Sequence, residues 1–212
     1  MVTFTIPLND KHRAGKKQVF SFSVLAQSVM LAGSRNLELA PALCRSLVNK
    51  LYLQGFGFFV GCAGGVDRSF RKALIYYPYY KRAFVACAFH ERTKPEHTFG
   101  LFASVVVPEK IPYKAALARR TVWMARRCEL LVLFPVDPLT GKWGRGSTLA
   151  FNTATLNLKP VFVVSESAPP ESEVYNVFAC SLFDLVTGFW VVPHPYLPGV
   201  WPATAVQRRN CR

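Results

Sequence analysis

The chain has 212 residues, 51% of them apolar and only 18% charged, with 26 Lys and Arg against 12 Asp and Glu, a net charge of +14. This composition excludes general disorder and supplies apolar side chains for one full core with extensions. The positive excess points to polyanionic or phosphorylated partners, and no apolar stretch has the length and purity of a membrane span.

Residues 1–26 read as a polar, basic N-terminal extension. Lys11 to Lys17 followed by the apolar run 19–32 imitates a secretory leader, but Ser21, Ser23, Gln27 and Ser28 interrupt it, and its end serves better as a strand. A short buried-type strand is expected over 27–32, ending at Gly33-Ser34-Arg35. Leu39, Leu43, Leu47 and Leu51 then recur at the four-residue spacing of an amphipathic helix. Gln54-Gly55 ends that helix, and 56–60 is the second strand. After the turn Gly61-Cys62-Ala63-Gly64-Gly65-Val66-Asp67, Phe70, Ala73 and Leu74 carry a short helix that Pro78 cannot continue.

A third strand is expected over 83–89, a polar loop over 90–100, and a fourth apolar run over 104–107. Pro112 suits the first turn of a helix in which Tyr113, Leu117, Arg120, Thr121 and Met124 share one face. The fifth strand, 129–134, leads through a Pro/Gly loop at 135–144 to a helix over 147–158, and a further strand follows at 161–164. Strands alternating with helices through 27–165 predict an α/β domain, a Rossmann-like parallel sheet with helices on both faces. Residues 166–173 read as a linker. The runs 174–178, 182–192 and 193–202 predict an added strand pair or a segment folded back on the sheet, so 166–212 is expected to pack on it.

Six cysteines (Cys44, Cys62, Cys87, Cys128, Cys180, Cys211) show neither a CxxC pair nor metal-ligand spacing, and the four histidines are scattered. Most of the cysteines lie in or beside apolar runs and read as small buried hydrophobes of a reducing compartment, the cytoplasm. Cys62 stands apart because it sits in a glycine turn.

Three glycine turns organise the chain: Gly33-Ser34-Arg35, the segment 61–67, and Gly144-Arg145-Gly146-Ser147-Thr148. In an open parallel sheet such turns gather at the carboxyl ends of the strands, where bare helix N-termini attract anions. Three together are expected to form a phosphate-sized pocket. Neither the GxGxxG fingerprint nor the GxxxxGK[ST] phosphate loop is present, because Trp143 follows Gly141-Lys142.

The order Gly-Ser-Arg, Gly-Gly-Val-Asp-Arg, Arg120 with Met124 ahead of an acidic residue and "LLVLF", then Gly-Ser-Thr and a helix ending in "LKPVFVV" resembles the SLOG superfamily. That group includes the YspA-like proteins, the DNA-processing protein A family and the lonely-guy phosphoribohydrolases. The resemblance covers about residues 27–165 and implies a nucleotide or nucleotide-derived ligand at the carboxyl edge. It places Gly33, Ser34 and Arg35 under the ligand, and Gly64, Gly65, Val66 and Asp67 in the tight turn. Gly146, Ser147 and Thr148 would donate N–H and hydroxyl groups to phosphate, with Arg120 as the charged clamp. Asp67 could equally cap its own helix.

Lonely-guy enzymes carry a PGGxGTxxE motif whose glutamate serves glycosidic cleavage. Here the matching stretch reaches Asn152, which is not titratable, and only Asp67, Glu129 or Asp137 could substitute. A non-catalytic sensor or accessory role is therefore favoured, with an ADP-ribose-like ligand among the candidates and no metal. The alternative is single-stranded DNA binding of the DNA-processing protein A type. Basic clusters at Arg68-Arg71-Lys72, Lys81-Arg82, Arg119-Arg120, Arg126-Arg127 and Arg208-Arg209 favour it, while Tyr76-Tyr77 and Tyr79-Tyr80 read as a packed aromatic loop ahead of base-stacking platforms. A phosphoribohydrolase is the second alternative. The partners implied are a nucleotide or single-stranded DNA, not a membrane, with a homodimer left open.

Overall fold

The computed structural model describes residues 2–8, 18–24, 27–108, 110–170 and 172–194. The chain begins with an antiparallel hairpin, β1 (Val2–Leu8) and β2 (Gln18–Val24), which pairs Val2 with Val24 and Leu8 with Gln18. Six parallel strands follow: β3 (Ser28–Gly33), β4 (Gly57–Gly61), β5 (Ala83–Cys87), β6 (Ala103–Val105), β7 (Leu130–Phe134) and β8 (Val161–Val163). β9 (Tyr175–Leu182) and β10 (Val186–Pro193) complete an eight-stranded sheet in the order β6-β5-β4-β3-β7-β8-β10-β9. The tail is thus the added strand pair, joined antiparallel to β8 through β10.

Side-chain alternation assigns the two faces. On β7, Leu130, Val132 and Phe134 join a cluster with Leu47 and Leu51 of α1 (Pro41–Leu53) and Phe70 and Leu74 of α2 (Val66–Leu74). Its Leu131 and Leu133 point the other way, onto a cluster with Met124 and Ala125 of α4 (Tyr113–Arg127) and Phe151 and Ala154 of α5 (Arg145–Leu156). A strand buried on both faces must be apolar throughout, which is why β7 reads as a continuous run. Each such side chain taken fully from water contributes about 1.5–3 kcal/mol. The helices therefore cover both faces, as the alternation predicts.

Two expectations change. The loop over 90–100 holds a 3-10 turn, His90–Thr93, and the one-turn helix α3 (Pro95–Thr98), which closes at Phe99 with φ 57. Pro95 at its first position suits a helix start. The N-terminal extension is likewise more than a basic arm. Val2 and Phe4 are buried, and the Phe4 ring lies 4.8 Å from that of Trp190, itself 5.1 Å from Phe162. Where β10 crosses β8, Gly188 is required because a Cβ would run into the Val163 carbonyl. The polar stretch 9–17 and the run 195–212, with Arg208, Arg209 and Cys211, lie outside the described residues.

Candidate functional site

β3 is central, and the chain leaves it for β4 on one side while β7 lies on the other, the arrangement of a topological switch point. Because β4, β3 and β7 are parallel neighbours, the turns that follow them stand side by side along one edge. The ten-residue loop after β7 does not separate the third turn from its strand. Val136 bridges Trp143, and the Gly144 N–H donates to the Pro135 carbonyl at 3.3 Å, so α5 starts beside the end of β7. The Asp137 carboxylate accepts from the Leu139 N–H at 2.9 Å and from Asn36 Nδ2 at 2.8 Å, tying this loop to the residue after the first turn.

The second turn is a closed corner. Gly65 has φ +59, and a Cβ there would collide with the backbone of Ser34 and Arg35; the Val66 N–H donates to the Ser34 carbonyl at 3.1 Å. Asp67 Oδ2 accepts from the Ala63 N–H at 3.3 Å and lies 3.5 Å from Arg120 Nη1, both side chains being buried. Gly65, not Asp67, occupies the N-cap of α2. Arg71 donates to the carbonyls of His97 (3.0 Å), Ala63 (2.8 Å) and Gly61, and Arg120 reaches Cys62 Sγ at 3.6 Å.

Two guanidinium groups are therefore enclosed with a single carboxylate. Cys62 lies beside them: Cys87 first, then Arg120, outweigh burial and bring its thiol down to about 5. Cys87 shifts upward, because of that hydrogen bond and its own burial. Burial pulls Arg71 below its ordinary value, and Asp67 opposes the shift. Sequence reasoning singled out Cys62 but missed its partner. The signal was present, since Cys62 and Cys87 each follow the last residue of the register pair Gly61 and Ala86 on adjacent parallel strands.

The expected site residues divide. Ser34 is buried, whereas Arg35 and Gly64 are exposed on the edge. Gly33 packs too closely against Phe134 and Val66 to accept a Cβ. Arg71, expected in a nucleic-acid cluster, is 4% exposed and committed to backbone carbonyls, so it belongs to the corner instead. Arg120 is likewise turned inward, although its Nε is buried without a partner. Thr148 spends its donors within its own helix, both N–H and Oγ1 going to the Gly144 carbonyl, and Ser147 is buried. What remains at the third turn is an α5 N-terminus with no side-chain cap, no acidic residue in its first turn, and open space over Gly144 and Gly146.

Two concavities are formed, one between α1 and α2, the other lined by Phe89, His90, Val107 and Ile111 beyond β5 and β6. The basic clusters do not form one track. Arg68 and Lys72 lie on α2 and Arg119 on α4, all exposed, while Lys81, Arg82, Arg126 and Arg127 precede β5 and β7 and so sit toward the opposite edge. Among the carboxylates that could replace a catalytic glutamate, Asp67 is paired with Arg120 and Asp137 holds its loop. Glu129 precedes β7 and pairs with Lys159 at 3.0 Å.

No family model and no curated protein matches the chain. Solved structures with a similar fold include DNA processing protein A from Streptococcus pneumoniae, 16% identical over 66% of this chain and 51% of that one, with a TM-score of 0.47. The Helicobacter pylori DNA processing protein A, described for its single-stranded DNA binding mode, is 16% identical over 66% of each chain with a TM-score of 0.48. A protein designated TM1055 is 16% identical over 65% of this chain and 72% of its own, with a TM-score of 0.47. The chain spans about half the length of the pneumococcal protein. The likeness concerns the fold alone. No helix among the described residues is long and apolar enough to cross a membrane.

Proposed function

We propose that the carboxyl edge binds a nucleotide or nucleotide-derived ligand through bare backbone N–H groups, and that the protein acts as a receptor or accessory binder rather than a catalyst. One observation carries this reading. Gly146 has ordinary helical backbone and nothing within 4 Å of where a Cβ would stand, so packing does not require glycine there. Glycine inside a helix costs about 0.5–1 kcal/mol relative to alanine. What glycine offers at this position is unobstructed approach of an anion to an uncapped helix N-terminus. Gly64 is similar, its nearest neighbour being the Arg35 carbonyl at 3.6 Å, and the exposed Arg35 stands beside it. Catalysis is left out because Asp67, Glu129 and Asp137 are engaged in ion pairs or loop contacts, and general acid/base work needs a titratable group within reach.

The test is a thermal-shift comparison of mononucleotides, dinucleotides, ADP-ribose relatives and an oligothymidine on the wild type and on Gly146→Glu. Binding to the native state at a hundred times Kd adds about 2.7 kcal/mol of stability. One small ligand is expected to raise the melting temperature of the wild type alone, while the unliganded variant melts no lower than wild type. A nucleoside monophosphate shift that persists in Gly146→Glu would remove the edge from the binding site. Single-stranded DNA is the competing reading, favoured by the +14 charge and the exposed Tyr76, Tyr77 and Tyr80. A response to oligothymidine alone, fading as salt is raised, would select it.

A further inference from the structure

The cleft between α1 and α2 starts just past the first two turns and shares no lining residue with the edge proposed above. It encloses about 360 Å³, within the range of small-molecule sites. Arg45 comes from α1, and Arg68 and Lys72 from α2 at the i, i+4 spacing that puts them on one face. None of the three forms an ion pair with a described residue. Ala73 and Leu39 lie between them, held where the Leu39 N–H donates to Ser69 Oγ at 3.1 Å, so the two walls are joined. The remaining lining includes one carboxylate, Glu38, and the half-exposed ring of Tyr76.

We propose that this cleft is a second anion site, one that takes a compact polyphosphate, two or three linked phosphate groups carried by a nucleoside. Three cations converging in a concave, partly apolar cleft focus positive potential far more than the same charges dispersed on a convex surface. Two guanidinium forks and an ammonium match the closely spaced oxygens of a di- or triphosphate. Glu38 repels phosphate from its own end and accepts hydrogen bonds from sugar hydroxyls, while the Tyr76 ring offers a base a stacking surface. The ligand is thereby oriented, with phosphates toward Arg45, Arg68 and Lys72.

The experiment is calorimetric titration of the full chain with inorganic tripolyphosphate and, separately, with adenosine triphosphate, at two salt concentrations. The variants are R68A/K72A, R45A, Y76A and Gly146→Glu. Arg45, Arg68 and Lys72 are exposed, so the variants should keep the wild-type melting temperature without ligand. Wild type should bind tripolyphosphate with an affinity that falls as salt rises. R68A/K72A should weaken it at least tenfold, R45A severalfold, and Gly146→Glu not at all. Y76A should weaken adenosine triphosphate while leaving tripolyphosphate unchanged. The proposal is overturned if wild type does not bind tripolyphosphate, if R68A/K72A binds it as wild type does, or if Gly146→Glu abolishes it. It is equally overturned if an oligothymidine binds the cleft and the compact polyphosphates do not.

Discussion

The turn at 61–67 and the turn at 144–148 are alike as sequence, each a glycine-containing break ahead of a helix, and opposite as structure. The first is shut except at Gly64: Gly65 is demanded by a left-handed φ and Gly61 by the absence of room, and two arginines, a carboxylate and a thiol pair fill the space behind it. The second is open, with no cap, no acidic neighbour and no atom over Gly146. A glycine that the fold requires explains itself. One that the fold does not require is the better pointer to a ligand.

Substitutions should separate the two turns, most strongly at the shut one. Arg120→Ala takes from the buried Asp67 carboxylate its guanidinium partner and should cost about 3–5 kcal/mol in urea unfolding. A loss below about 1 kcal/mol would mean that the corner relaxes into solvent. The same corner should make stability depend on pH through Cys62. Its thiol lies below the ordinary value, so its contribution is complete above that ordinary value, shrinks as pH falls, and is gone below about 5. Cys87 runs the other way, its contribution being complete below the ordinary thiol pKa and lost as pH rises through its own raised value. Wild type should therefore lose more stability than Cys62→Ser between pH 9 and pH 5; parallel curves would deny the thiolate.

Glycine replacements give the smaller effects. Gly65→Ala should destabilise by more than about 1 kcal/mol, from positive φ and the collision with Ser34 and Arg35. Gly146→Ala should stabilise by about 0.5–1 kcal/mol, because it meets nothing and alanine is the better helix former. Effects of the same sign at both positions would erase the distinction between the two turns.

The parallel core was legible because its signals are local. β7 is apolar throughout, α1 buries Leu47 and Leu51 of the expected leucine stripe, and each glycine turn falls between a strand and a helix. What sequence reasoning missed depends on distant partners. β1 does alternate, as Val2-Thr3-Phe4-Thr5-Ile6, yet its basic surroundings made it read as an arm, and the distant rings of Trp190, Phe183 and Phe56 show why Phe4 is buried. Arg71 looked like one more surface cation. Its position four residues after Asp67, on the face with Phe70 and Leu74, turns it inward to the carbonyls of Gly61 and Ala63. Arg68 and Lys72, on the other face of α2, stay exposed. Arg45 gave no signal at all, because the cleft it lines exists only once α1 and α2 pack together.

The contact between Phe4 and Trp190 also orders events in time. The hairpin is made before the ring it packs on, which belongs to β10, the last strand of the sheet among the described residues. Until then β8 lacks its outer neighbour and Phe4 has Phe56 and Phe183 but not Trp190. A nascent chain halted before residue 186 would thus keep the hairpin incompletely docked. Since contacts between segments far apart in sequence slow folding, attachment of the hairpin should be the closing step of synthesis-coupled folding.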